Sequence, residues 1–297
     1  MAAGTLKRLA TDTALTLGVV RAVVHGAFLL GVLLTSFQNL SALPVTVMRP
    51  TGAMQLLPWG FYETLLTPAG MSALKAAMVA ALALGALGLW TPLTTKLSAA
   101  LVIFYEGLLR SFGHFNHDEM VAVYALVVLA FAPCGDRVAL GRRGREGRRA
   151  GWVYGYPVLL IRLVVAWMYF SSALIKLRIA GLGYLNPDNL PALGIFHSLD
   201  NLHDTQYRLA FQLVNYRDFT TPLIALVLLW ELLFPLAVFS RRARPWVLGF
   251  GVVFHLSTIF VMNVFFPYHL ATYLAFVDWQ AVADRMRKTT NAELKSN

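Results

Sequence analysis

Long apolar stretches recur along the chain, separated by short polar or proline-bearing connections. A helix that crosses the hydrocarbon core of a bilayer needs roughly 20 mostly apolar residues, with about 17 tolerated. Stretches that meet or approach this length run near Leu15–Phe37, Gly70–Trp90, Leu93–Ser111, Asp118–Pro133, Pro157–Lys176, Phe219–Phe239, Trp246–Phe266 and Tyr268–Ala283. The fourth and eighth are the shortest. This pattern predicts an all-α fold, a polytopic transmembrane helical bundle of about eight spanning helices. Lys7 and Arg8 precede the first stretch in the manner of a signal peptide. Its apolar part is too long for one and no small-residue cleavage site follows, so it is expected to be retained.

Composition points the same way. Hydrophobic residues make up 58% of the 297 positions and charged residues 13%. A soluble domain typically carries about 25% charged residues to cover its surface, so the expected solvent is lipid. The basic residues then give orientation. Gly141–Arg149 reads GRRGREGRR, Ser240–Arg244 reads SRRAR, and Arg285, Arg287 and Lys288 follow near the end. With eight spans these clusters share one face with Lys7, Arg8 and Lys96. That face holds 16 Lys and Arg, against four (Arg49, Arg178, Arg208 and Arg217) in the opposite loops. Excess Lys and Arg in short loops marks the cytoplasmic side, which puts both termini there. The net charge of +10 is then explained by topology and anionic headgroups, and no nucleic acid is expected. The lone Cys134 allows no intrachain disulfide and no Cys-rich metal cluster.

Two long loops fall on the opposite side. Gln38–Ala69 contains Pro44, Pro50, Pro58 and Pro68 with Trp59, Phe61 and Tyr62, a content that suits a re-entrant or interfacial segment. Leu177–Asp218 includes Leu190–Leu202, which can form a short amphipathic helix on the bilayer surface. Together they could roof a cavity open to the outside. The expected organisation is a single integral membrane domain over residues 1–297, with no soluble domain after the last helix.

An ionisable residue inside a spanning segment is costly and by default suggests function. Glu106, Arg110, His114, Asn116, His117, Asp118 and Glu119 cluster where the third stretch ends and the fourth begins. Arg162 and Lys176 lie in the fifth, Glu231 in the sixth, His255 and Asn263 in the seventh, and His269 follows in FFPYHL. Under the eight-span topology this set favours the outer half of the bundle. Each has a plainer reading. In that reading Lys176 snorkels to the interface in the way lysines at helix ends do, Arg162 and Glu231 form a structural ion pair, and Glu106 and Arg110, four apart, pair locally. His114, His117 and Asp118 would share a face only if one helix ran through all three. Their spacing resembles a metal half-site, but no further acidic cluster completes it, and no metal is expected. His255 is harder to set aside, though a neutral histidine bonded to a neighbouring helix is tolerated. No phosphate-binding glycine loop and no nucleophile elbow is present.

Three stretches, in order, resemble the membrane domain of vitamin K-dependent γ-glutamyl carboxylase and its bacterial relatives, the horizontally transferred transmembrane domain proteins. They are FNHDEMVAVYALVVLAFAP, WMYFSSALIKL and FHLSTIFVMNVFFPYHL. The first is an Asn-His pair opening an apolar helix that ends in Pro. The second resembles the family's helix end Tyr-Phe-x-x-x-x-x-Lys-Leu, and the third a Phe-His helix closing at a Phe-Pro-aromatic turn. The resemblance spans roughly Arg110–Trp279, within a carboxylase-like membrane core of about residues 100–284. It implies that Lys176 is the catalytic base that deprotonates a reduced vitamin K or menaquinol-type quinone. It implies that His117 is the catalytic histidine that orients the quinone oxygen, and that His255 lines the same pocket. His114, Asn116, Asp118, Tyr169 and His269 complete the implied pocket. The chemistry is reasonable, since burial disfavours the charged form of a lysine and a neutral amine takes a proton, while a histidine donor can stabilise the resulting anion. The carboxylase continues into a large lumenal domain where this chain reads as ending, and IKLRIAGLGYL departs from the carboxylase pattern after the lysine, so carboxylation of a protein glutamate is not expected.

The expected function is therefore a bacterial-type integral membrane enzyme acting on a quinol or similar isoprenoid substrate. It is a quinol-dependent lyase or oxidoreductase of the inner membrane, with its active side periplasmic or extracellular. Expected partners are membrane lipids, the lipophilic substrate and a protein on the non-cytoplasmic side. Two competing readings stand beside it: a non-enzymatic quinone- or lipid-binding subunit, and a small-molecule or proton transporter in which Arg110, Glu231 and His255 form a path.

Overall fold

A computed structural model describes residues 9–114, 119–140, 149–199 and 209–296. The described residues are helical, with no strand among them. Helices of seven residues or more are α1 (Ala14–Leu34), α2 (Trp59–Leu65), α3 (Pro68–Leu87), α4 (Thr91–Ser111), α5 (Met120–Ala130), α6 (Gly151–Ala180), α7 (Asn189–Ser198), α8 (Arg217–Leu233), α9 (Arg244–Met262), α10 (Pro267–Tyr273) and α11 (Trp279–Ser296). Four helical stretches are long and apolar enough to cross a membrane: α1, α3, α9, and α6 with the turn that extends it to Leu185. Their outward residues, among them Leu30, Leu33, Trp167, Ile179, Val253 and Phe260, are exposed. Apolar side chains in that number cost little only when lipid covers them. The protein is thus read as an integral membrane protein.

The remaining expected spans differ in instructive ways. α4 has 21 residues but carries Lys96, Glu106 and Arg110, and α8 has 17 with Pro222 inside it. The fourth stretch forms a helix of only 11 residues, α5. The eighth stretch is not one helix. Pro267 opens α10, a 3-10 turn follows at Leu274–Phe276, and Asp278 then caps a new helix by accepting from the Ala281 N–H at 3.0 Å. Proline favours a helix start and aspartate an N-cap, so the two residues punctuate an otherwise apolar run. A helix does form within the expected Leu190–Leu202 stretch, α7, but it is apolar around its circumference rather than amphipathic and ends at Ser198; residues 200–202 lie outside the described residues, as does most of the GRRGREGRR cluster.

The chain divides into two compact units, residues 1–161 with 277–297 and residues 162–276. In the first, α1 packs along α3, α3 on α4 and α4 on α5, and α5 returns to α1, which also meets α11. Thr13 caps α1 and Thr67 caps α3 through their side-chain oxygens. α3 stops at Gly88, whose φ of +75° is a left-handed conformation that glycine adopts without strain. In the second unit, α9 is central and contacts α7, α8 and α10. It ends at Asn263, also left-handed at φ +52°, a conformation that asparagine tolerates better than most residues. Thr258 secures the turn by donating to the carbonyls of His255 at 2.8 Å and Val264 at 2.9 Å.

Candidate functional site

The second unit gathers most of the described polar candidates. Along α6, Arg162, Tyr169 and Lys176 recur every seven residues with Val165, Ala166 and Ala173 between them, and all but Lys176 are buried. Seven residues are nearly two helical turns, so the three share one face at intervals of about 10 Å. α8 presents Ile224, Leu228 and Glu231, and α9 presents Val247, Gly251, His255 and Thr258, each at a spacing of three or four. That periodicity puts isolated polar groups on otherwise apolar, inward faces.

Lys176 does not extend freely into solvent. Its ammonium donates to both carboxylate oxygens of Glu231, at 2.5 and 2.8 Å, and lies 5.5 Å from the centre of the Tyr184 ring. The side chains are 24% and 5% exposed. Ser172, one turn before Lys176, donates to the same carboxylate at 3.3 Å. This corrects the expected pairing of Glu231 with Arg162, because Glu231 is held by Lys176. Arg162 instead donates through Nε to the Ala275 carbonyl at 2.7 Å and stands over the Phe276 ring.

One helical repeat away, Tyr169 lies at the centre of an aromatic cluster. The Tyr273 hydroxyl donates to the Tyr169 hydroxyl at 2.7 Å, and the Tyr169 oxygen lies 2.5 Å from Nε2 of His255. Phe234 stacks on Tyr169 with ring centres 4.2 Å apart, and Trp230 lies at 4.8 Å. Trp230 is oriented by donating to the Val247 carbonyl at 2.9 Å. The His255 ring is flanked by Phe254, Phe266 and His269 at 5.0–5.1 Å. Its Nδ1 is buried without a hydrogen-bond partner among the described residues. Buried polar atoms are nearly always hydrogen-bonded, and this one is an exception.

Of the residues expected at the site, Tyr169, His255 and His269 come together, and Lys176 stands on the same face of α6. His114 belongs to the other unit and is exposed. α4 ends at Ser111 and Gly113 turns left-handed at φ +83°, so no helix runs from α4 through His114. Asn116, His117 and Asp118 lie outside the described residues.

Several polar residues join the picture without having been candidates. Tyr273 stands four residues after His269 on α10, and that spacing alone places them on one face. Arg21 and His25, four apart in the first apolar stretch, are fully buried in the first unit. Arg21 donates through Nη2 to the carbonyls of Ala86, at 3.3 Å, and Val138, which itself sits at φ +56°. Its Nε and Nη1 have no hydrogen-bond partner among the described residues. His25 Nδ1 lies 2.9 Å from the Arg21 carbonyl, and its ring packs on Gly85, where a Cβ would fall 2.4 Å from Cδ2. The ends of helices expose unpaired carbonyls, and Arg21 serves one at the end of α3; this cluster is a structural clamp.

The chain matches no family model, no curated protein and no solved structure.

Proposed function

We propose that this chain is a polytopic membrane enzyme that acts on a quinol or a similar isoprenoid ring. In this reading about eight segments span a bacterial inner membrane, both termini are cytoplasmic, and the site opens outward. One observation carries it: an ion pair, Lys176 with Glu231, lies on the same α6 face as a hydrogen-bonded Tyr273–Tyr169–His255 chain. Removing ionisable groups from water costs several kcal/mol per ion, and an ionisable pair within a spanning helix is by default a candidate for function. The residue set fits a planar ring bearing two oxygens. Aromatic side chains pack around Tyr169 and His255, and Nδ1 of His255 is a buried polar atom that would meet an oxygen.

A quinol supplies an ionisable hydroxyl and an oxidisable ring. Lys176 is hydrogen-bonded to both oxygens of the Glu231 carboxyl group. To act as a base it passes its proton to Glu231, and the neutral amine then takes the proton of a bound hydroxyl. Glu231 thus becomes half of a proton-sharing pair, and Ser172 keeps its carboxylate oriented in both states. The resemblance to the carboxylase membrane domain supports the lysine's role and adds His117 as the oxyanion donor.

The test is purification in detergent followed by mass spectrometry of co-extracted lipids, with quinol consumption measured on the same samples. Wild type should carry a stoichiometric isoprenoid quinone and turn over. Lys176→Ala and Glu231→Gln should keep the quinone and lose turnover by about a hundredfold or more. Bulk phospholipid alone, identical in all three, would sink the quinol reading. Retained binding with no turnover even in wild type would favour a quinone-binding subunit.

A further inference from the structure

The Tyr273–Tyr169–His255 chain has a direction. Tyr273 donates to Tyr169, so the proton of Tyr169 is directed toward Nε2 of His255, 2.5 Å away. An imidazole that accepts at Nε2 carries its proton at Nδ1, because the partner of one ring nitrogen sets the state of the other. That Nδ1 is buried and has no hydrogen-bond partner among the described residues. His255 is 2% exposed.

We infer that Tyr273 and Tyr169 hold His255 as its Nδ1–H tautomer, so that His255 donates one hydrogen bond to a single oxygen of the bound ring. The inference rests on the quinol reading and deepens it. The ring would be gripped unevenly, one oxygen on His255 and the other free to engage the base. Tyr169 and Tyr273 act through His255 and are positioning residues. Gly251 makes their arrangement possible. It lies one turn before His255 on α9, and a Cβ there would fall 2.5 Å from the Tyr273 hydroxyl oxygen and 2.9 Å from Trp230 Cζ2. Only glycine leaves room for the hydroxyl that starts the chain.

The experiment uses menaquinone-4 labelled with ¹³C at both ring carbonyls, added to the purified full-length protein and read by infrared difference spectroscopy. Wild type should show two separated carbonyl bands, one lowered relative to free quinone in detergent. His255→Phe, which keeps the aromatic contacts, should return that band to the free position and weaken binding about tenfold. Tyr169→Phe and Tyr273→Phe each remove one oxygen and nothing else. They should narrow the splitting, and ¹⁵N spectra of labelled histidine should show the Nδ1-protonated signal giving way to a mixture of tautomers. A role in packing alone would move neither readout. If His255→Phe fails to fold, the two tyrosine variants decide. Bound quinone with both carbonyls at the free position, or a splitting unchanged in the folded variants, overturns the inference and leaves the quinol reading standing. A folded wild type that takes up no menaquinone-4 overturns both.

Discussion

Two helix-borne cations that meet partners, Arg21 and Lys176, are handled in opposite ways. Arg21 meets main-chain carbonyls at the end of α3 and in the loop that holds Val138. Lys176 meets the Glu231 carboxylate, with Ser172 behind it. The carbonyls that Arg21 Nη2 meets cannot take its proton, so those bonds fasten helices. A carboxylate that faces an ammonium can take its proton. The partner, more than the cation, separates a fastening from a candidate reactive site.

The largest effect should come from breaking the reactive pair on one side only. Glu231→Gln leaves the Lys176 ammonium without its counter-charge and should cost about 3–5 kcal/mol, measured by denaturant unfolding in detergent. The double variant Lys176→Met/Glu231→Leu should recover most of that loss. A single-variant cost under about 1 kcal/mol would mean the pair is solvated, and the contrast with Arg21 would lapse. Next come the glycines. Gly85→Ala drives a methyl into His25, which its bond to the Arg21 carbonyl holds in place, and should destabilise by about 1–3 kcal/mol. Gly26→Ala, on the neighbouring helix with nothing within 4 Å of the added carbon, should be neutral or stabilising by about 0.5–1 kcal/mol. Equal outcomes for the two would remove His25 from the clamp. Arg21→Met should cost less than Glu231→Gln, about 1–2 kcal/mol. Two carbonyls lose a donor, and a buried charge without a counter-ion is relieved at the same time.

The smallest effect is a rate. Cys134 lies in the first unit beyond α5, and burial pushes its thiol up to about 11 although the Arg21 charge pulls the other way. A charged maleimide at pH 8 should leave it untouched in the folded protein and label it on unfolding. The folded protein holds this proton more tightly than the unfolded chain, so the contribution to stability is whole below the ordinary thiol value of about 9 and declines as pH rises toward 11. Rapid labelling of the folded protein would show that the region around Arg21 opens readily, contrary to a clamp.

Much of the fold was legible because apolar runs of membrane length leave few alternatives. α1, α3, α6 and α9 coincide with the expected stretches. Hydropathy counts apolar residues and is blind to punctuation, so Pro267 and Asp278 divided a run that averaged as one span. The expected site was legible in part. His255 stood out in the sequence, Tyr169 entered only through the resemblance, and the two do meet. The Lys176–Glu231 pair joins residues 55 positions apart, and nothing in a single sequence fixes which face of α8 turns toward α6. Arg21 and His25 carry a visible signal, two ionisable residues four apart in an apolar stretch, yet they fell outside the polar set near the outer loops. His117, the histidine to which the resemblance gives most weight, falls in the segment that the structure does not describe.

The seven-residue spacing on α6 has a consequence for how this protein can change. An α-helix drifts by about 20° over seven residues, so Arg162, Tyr169 and Lys176 stay in phase along the helix. One residue inserted between Tyr169 and Lys176 would rotate the lysine by about 100°, off the face that meets Glu231 and to the position that Leu177 now holds. Substitutions on the outward face of that helix are free to drift, but its length between those two side chains is not. α6 behaves as a ruler whose graduations are chemical groups, and lineages that keep the chemistry must keep the count.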